Sequence, residues 1–212
     1  MRKALLNILI SSMRYRDALN ALYSAGGVYA TLVLGWSIIQ IGVFGIVGAI
    51  TAAIATQIGG IFDSRVGPRP VIKVCCYILI AVCVVIVGMN RTSLFGLVAI
   101  PEGSALPDIV FYICGAAIGG AGGAIYSASR SMMVRHTHAE RPTEAFGLFA
   151  LSGKATAFLA PFLIGLFSTL TGNAQLGYIP VIALFVIGLF LLRYVHPEGD
   201  HAKWSKSEIP SP

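Results

Sequence analysis

Ala145-Phe146-Gly147-Leu148-Phe149-Ala150-Leu151-Ser152-Gly153-Lys154-Ala155-Thr156-Ala157-Phe158-Leu159-Ala160-Pro161-Phe162-Leu163-Ile164-Gly165-Leu166-Phe167-Ser168-Thr169-Leu170 holds a single charge, Lys154, within an otherwise apolar helical run. A segment needs about 20 mainly apolar residues to cross a bilayer. A charge at that depth persists only where a partner or a watery cavity receives it. This stretch therefore reads as a membrane span with Lys154 turned inward, and it sets the class of the whole chain.

Composition agrees. The 212 residues are 56% hydrophobic and 11% charged, with a mean hydropathy of +0.81. Soluble domains carry about a quarter charged residues, so the bilayer is the expected solvent. The apolar runs resolve into six spans, about 18–36, 38–58, 71–89, 109–129, 145–170 and 176–194. The expected fold is an all-α membrane protein, a six-transmembrane-helix bundle occupying 17–195. Residues 1–16 read as a cytoplasmic linker or amphipathic segment, and 196–212 as a disordered polar tail. Pro161 is expected to kink the fifth span. Ala4–Ile10 is too short, and too broken by Asn7, for a cleavable signal peptide.

The net charge of +6 does not indicate nucleic acid, because the basic residues fall between apolar runs rather than on one aromatic-rich face. With the N-terminus inside, thirteen of the 15 basic residues lie in inner segments, including Arg14, Arg16, Arg65, Arg69, Lys73, Arg130, Arg135 and Arg193. Only Arg91 lies outside. That asymmetry places both termini on the cytoplasmic side.

Small residues supply the packing signal, since close contact rather than hydrophobicity joins helices in lipid. Gly115, Gly119 and Gly123 form one groove along the fourth span. Gly42, Gly45, Ala49 and Ala52 line the second, and Gly26, Gly27 and Ala30 the first. The pattern does not say whether the neighbour belongs to this chain. Cys75, Cys76, Cys83 and Cys114 lie inside spans and read as small packing residues.

The face of the helix around Lys154 bears Gly147, Ala150, Ala157 and Pro161. Lys154 could bind a substrate carboxylate, serve an ion relay, or pair structurally with an acid on another helix. No acid within the six spans is an obvious partner. Asp17, Asn20 and Tyr23 share one face of the first span, either a substrate-facing edge or an interfacial anchor. Glu144, in the first turn after Pro142, either complements the helix dipole or gates by protonation. Gln40 and Gln57 are expected to hydrogen-bond between helices. His136 and His138 read as solvated loop residues. Motifs for covalent chemistry and metal-ligand spacings are missing, so neither an enzyme, a cofactor nor a metal is expected.

Two stretches carry a resemblance. Gly60-Ile61-Phe62-Asp63-Ser64-Arg65-Val66-Gly67-Pro68-Arg69-Pro70 resembles the signature loop of the major facilitator superfamily, G-x-x-x-D-R-x-G-x-R. Gly60, Arg65, Gly67 and Arg69 match; Ser64 replaces the aspartate, and Asp63 stands one position early. Tyr15–Asn20, Gly26–Ala30, Ser127–Ser131 and Glu144–Pro161 are similar to the vacuole-effluxer-like permeases, relatives of autophagy-linked vacuolar amino-acid exporters. The match covers nearly the whole chain but only the C-terminal half of that family's twelve spans.

The resemblance implies half of a secondary transporter working by alternating access on a small-molecule substrate, amino acids among those known. It implies a second six-helix half, from a separate chain or an identical copy, and a place in the bacterial inner membrane. Lys154 would face the central cavity or its lining; Asp17, Asn20 and Tyr23, on their shared face, are the other candidates for the substrate or ion pathway. Gly60, Asp63, Arg65, Gly67, Arg69, Arg130 and Glu144 would serve the signature loop and gating. The alternative is a non-transporting membrane scaffold or an inactive remnant of a permease.

Overall fold

A computed structural model describes residues 3–95, 98–101, 103–137 and 142–195. The tail 196–212, the first two residues, His138 and Glu140 lie outside the described residues. Seven α-helices follow in order: α1 Lys3–Leu34, α2 Ile38–Val66, α3 Pro68–Gly88, α4 Leu106–His136, α5 Pro142–Ala155, α6 Leu159–Thr171 and α7 Ile179–Leu192. A short hairpin, β1 Ser93–Leu94 with β2 Val98–Ala99, and a 3-10 turn, Leu176–Tyr178, complete the described elements. The protein is an all-α membrane bundle of six helical segments, because α5 and α6 are two parts of one apolar run. Among the described residues four helical stretches meet the length and apolarity of a membrane span: Ile38–Val66, Pro68–Gly88, Leu106–His136 and Thr143–Thr171. Leu176–Leu192 is a shorter apolar helix.

The α2–α4 pair is the tightest in the bundle. A β-carbon added at Gly119 would overlap the Gly48 carbonyl of α2, and one at Gly115 would strike the Phe44 ring. At Gly123 it would stand 2.6 Å from both the Ala52 carbonyl and the Thr56 hydroxyl. The glycine groove of the fourth span is thus filled by Phe44, Gly48, Ala52 and Thr56 of α2 in the same chain; of the small residues read along the second span only Ala52 takes part, and Gly42, Gly45 and Ala49 are exposed. Close backbone approach is what such faces permit in lipid. The opposite face of α2 stays open, with Ile39, Ile46, Ile54 and Phe62 more than half exposed.

Helix α1 runs unbroken from Lys3, well before the Ala18 edge inferred for the first span. Its early residues are held inside the bundle. Ser11 Oγ donates to the Gly188 carbonyl of α7 at 3.1 Å, and Tyr15 packs on Gly188. Gly35 then turns the chain, and Ser37 caps α2 in a reciprocal box with Gln40. Gln40 therefore closes its own helix; its carbonyl accepts from the Tyr112 hydroxyl of α4 at 3.2 Å. Gln57 is exposed.

The fifth span breaks one turn earlier than Pro161 itself. Residues 156–158 leave the α-helix, with Leu159 N donating to the Thr156 carbonyl at 2.8 Å. Proline clashes with the carbonyl four residues back, here Ala157, which explains the position of the break. His136 is buried rather than solvated, its Nδ1 2.8 Å from the Met132 carbonyl. All four cysteines are free and buried.

The end of the bundle opposite the basic loops is closed by aromatic rings. Phe111 is at the centre, stacked on Tyr29 and Phe44 and met edge-on by Trp36, with centroids 5.0–5.3 Å away. Trp36 Nε1 donates to Asp108 Oδ1, and Arg91 Nη1 reaches the same oxygen, both at 2.6 Å. The Tyr29 hydroxyl donates to the Ile86 carbonyl at 3.0 Å.

The α2–α4 contact makes a direct prediction. Gly119→Ala should destabilise the folded protein by about 1–3 kcal/mol through overpacking. Gly42→Ala, on the same helix pair but facing open space, should change stability by less than about 0.5 kcal/mol. Thermal melting of the two variants in one detergent compares them.

Candidate transport site

The polar residues gather where α1, α4 and α5 meet. Phe149 lies seven residues into α5 from Pro142, about 10 Å at 1.5 Å per residue. The Phe149 carbonyl accepts from Arg16 Nη1 at 3.1 Å. The same guanidinium lies over the Phe149 ring, 4.1 Å from its centroid, and 6.0 Å from that of Tyr126. Arg16 is thus carried well inside the helix ends. A guanidinium spreads its charge over a plane that suits both a carbonyl and a ring face.

Gly153 makes this placement possible. A β-carbon there would stand 2.8 Å from Arg16 Nη2, so any larger residue would push the guanidinium away. Asp17, the next residue of α1, is 1% exposed. Among the described residues neither of its carboxylate oxygens has a hydrogen bond of ordinary geometry, and the Thr156 hydroxyl of the α5–α6 break stands beside it. One turn on, Asn20 Oδ1 accepts from the Tyr126 hydroxyl at 2.5 Å. Tyr15 and Ser129 join their hydroxyls at 2.8 Å. The Tyr23 hydroxyl reaches the Ile118 carbonyl at 3.5 Å, with 46% of the residue exposed. Arg130, exposed one turn beyond Tyr126, stands close enough for its charge to act on Arg16.

The structure therefore groups Asp17, Asn20 and Tyr23 with Arg16, Tyr126 and Thr156. Lys154 follows Gly153 directly and occupies the last turn of α5, at the edge of the break. Within this chain it is exposed. The C-terminal end of a helix carries a partial negative charge that favours a cation there. Arg16 was not legible as a site residue, because Arg14-Tyr15-Arg16-Asp17 reads as a basic border to a span. Its contacts come from α5, 133 positions away in the sequence.

The signature-loop residues form a second group, at the basic end. Gly67 has φ of 86°, a conformation that favours glycine, and its N–H donates to the Asp63 carbonyl at 2.9 Å. Pro68 then starts α3 with its fixed φ. The Asp63 side chain, nearly buried, faces Arg135 of α4 at 3.8 Å. Arg69 Nη2 donates to the Arg193 carbonyl at 2.9 Å. The loop thus ties α2 and α3 to α4 and α7 of its own chain. Gly60 and Arg65 are exposed, and Glu144 lies exposed in the first turn of α5. No group of metal ligands occurs among the described residues.

The family model for vacuole effluxer Atg22 like proteins matches residues 2–202. The chain is 26% identical over 197 residues to the uncharacterized MFS-type transporter YxiO of Bacillus subtilis (strain 168), covering 92% of this chain and 42% of that protein. It is 26% identical over 183 residues to autophagy-related protein 22 of Cryptococcus neoformans var. neoformans serotype D (strain JEC21), covering 86% of this chain and 32% of that one. The chain spans less than half the length of these curated relatives. No solved structure matches it.

One prediction tests the geometry at Asn20. Tyr126→Phe removes the donor to Asn20 Oδ1 and should cost about 0.5–1.5 kcal/mol, measured by thermal or urea-induced unfolding in detergent.

Proposed function

The chain belongs to the vacuole effluxer Atg22 like family of the major facilitator superfamily, and we propose that it forms one half of a secondary transporter. The other half is a second set of six helices, from a separate chain or an identical copy. The substrate is a small solute of the amino-acid class, moved by alternating access between the two halves. The protein is integral to the membrane; we place it in a bacterial inner membrane with both termini in the cytoplasm, on the one-sided distribution of its basic loops.

The observation that carries this reading is the broken fifth span beside the Arg16 cluster. Discontinuous helices expose backbone dipoles and polar side chains in the middle of transporters, and substrates bind there. In this chain the break sets Lys154 on an open surface and Thr156 against buried Asp17. A zwitterion has one group for each sign. Lys154 supplies a cation for its carboxylate. Asp17 supplies an anion for its ammonium once α5 moves off α1. Asn20, Tyr23 and Tyr126 offer hydrogen-bonding groups along the same edge.

The open faces support the need for a partner. The α2 stripe and exposed Leu151, Phe158 and Phe162 on the fifth span flank the polar edge. A second half would cover that edge and leave a cavity over it.

Amino-acid flux into proteoliposomes holding the chain and its second half, with and without a pH gradient, tests the proposal. Lys154→Ala should lower the initial rate at least about tenfold, equivalent to about 1.4 kcal/mol, while inserting normally. Wild-type flux from that variant would remove Lys154 from the pathway. Absence of flux from the wild-type pair would favour a non-transporting scaffold.

A further inference from the structure

Two concavities meet at the basic end of the bundle. One, about 260 Å³, is lined by Arg65, Gly67, Arg69 and Arg135 with neighbouring loop residues. The other, about 350 Å³, runs between α2 and α3 over α4 and is walled by Ile58, Phe62, Val74, Cys75, Ile78 and Ala124 among others. Val66 and Pro70 line both, so the two adjoin.

Their chemistry is opposite. Among the described residues the first presents three guanidinium groups, of which Arg135 faces the Asp63 carboxylate. Arg69 spends one nitrogen on the Arg193 carbonyl, and its buried Nε has no acceptor among the described residues. Arg65 is exposed at the rim. The second concavity has walls of aliphatic, aromatic and small residues and lies along helices apolar enough to face lipid. An anionic head fits the first, and a hydrocarbon chain fits the second.

We propose that the two concavities together hold one anionic phospholipid. Its phosphate is bound by Arg65, Arg69 and Arg135, and one acyl chain lies along the groove between α2 and α3. Basic pockets between membrane helices bind anionic head groups in this way, and guanidinium groups engage phosphate oxygens in pairs. A free phosphate would leave the groove unused, and a neutral lipid would bring no counter-charge to Arg65 and Arg69. The lipid would brace the signature loop, because the same arginines tie α3 to α7 and α4 to α2. Lipid binding at this end requires no transport activity and does not involve the Arg16 cluster.

Native mass spectrometry of the detergent-purified chain tests it, with dioleoyl phosphatidylglycerol, dioleoyl phosphatidylcholine and inorganic phosphate as probes. Retention of phosphatidylglycerol should exceed that of phosphatidylcholine, and phosphate should not be retained. Arg65→Gln, at an exposed position, should lower phosphatidylglycerol retention about fivefold, and the triple R65Q/R69Q/R135Q about a hundredfold. Val74→Trp, which fills the groove, should also lower it. Equal retention of the two lipids would overturn the proposal, as would phosphate retained like the lipid. Should the triple variant fail to fold, wild-type retention by Arg65→Gln alone would also overturn it.

Discussion

The backbone of α4 rests on the backbone of α2, and the rest of the bundle depends on that contact. Within lipid there is no hydrophobic gain from bringing two apolar helices together, so the contact must be close enough for dispersion and backbone dipoles to act. Gly119 lies against the Gly48 carbonyl because neither residue carries a side chain there. With α2 fixed on α4, the end of α2 brings Asp63 to Arg135, and its start brings Phe44 under Phe111. The other face of α4 then receives α1 through Tyr15, Asn20 and Tyr23.

That arrangement also explains how the chain keeps charges among apolar helices. Arg16 is not left bare: the Phe149 carbonyl and ring share its charge, and Gly153 leaves room for it. Lys154 is handled differently, held at the end of a helix that stops early. Among the described residues, both carboxylate oxygens of buried Asp17 are without a hydrogen-bond partner. An unpaired buried carboxylate is costly.

Much of this was legible in the residues and some was not. Six apolar stretches are visible in hydropathy, since lipid demands long runs and tolerates few charges. The Gly115-Gly119-Gly123 face announced a tight contact, but a surface of hydrogens carries no address, and only the fold shows that α2 fills it. The extent of α1 was hidden, because Arg14, Arg16 and Asp17 look like a border until α4 and α5 are in place to receive them. Pro161 indicated a break without giving its position, which depends on the carbonyl one turn before it. The link of Trp36 and Arg91 through Asp108 joins three segments with no common spacing and left no trace in the pattern. Lys154 stood out by its isolation; its exposure follows from where α5 ends.

The central claim is that helices cross the bilayer in alternation, with the basic loops gathered at one surface. Single cysteines at Ser64, Thr92 and Asn173, all exposed loop or helix-end positions, can be labelled with an impermeant maleimide in sealed vesicles of known orientation. The four native cysteines are buried and contribute little background. The account predicts that Ser64→Cys reacts only from the cytoplasmic side and that Thr92→Cys and Asn173→Cys react only from the opposite side. Labelling of Ser64→Cys and Thr92→Cys from the same side would contradict it.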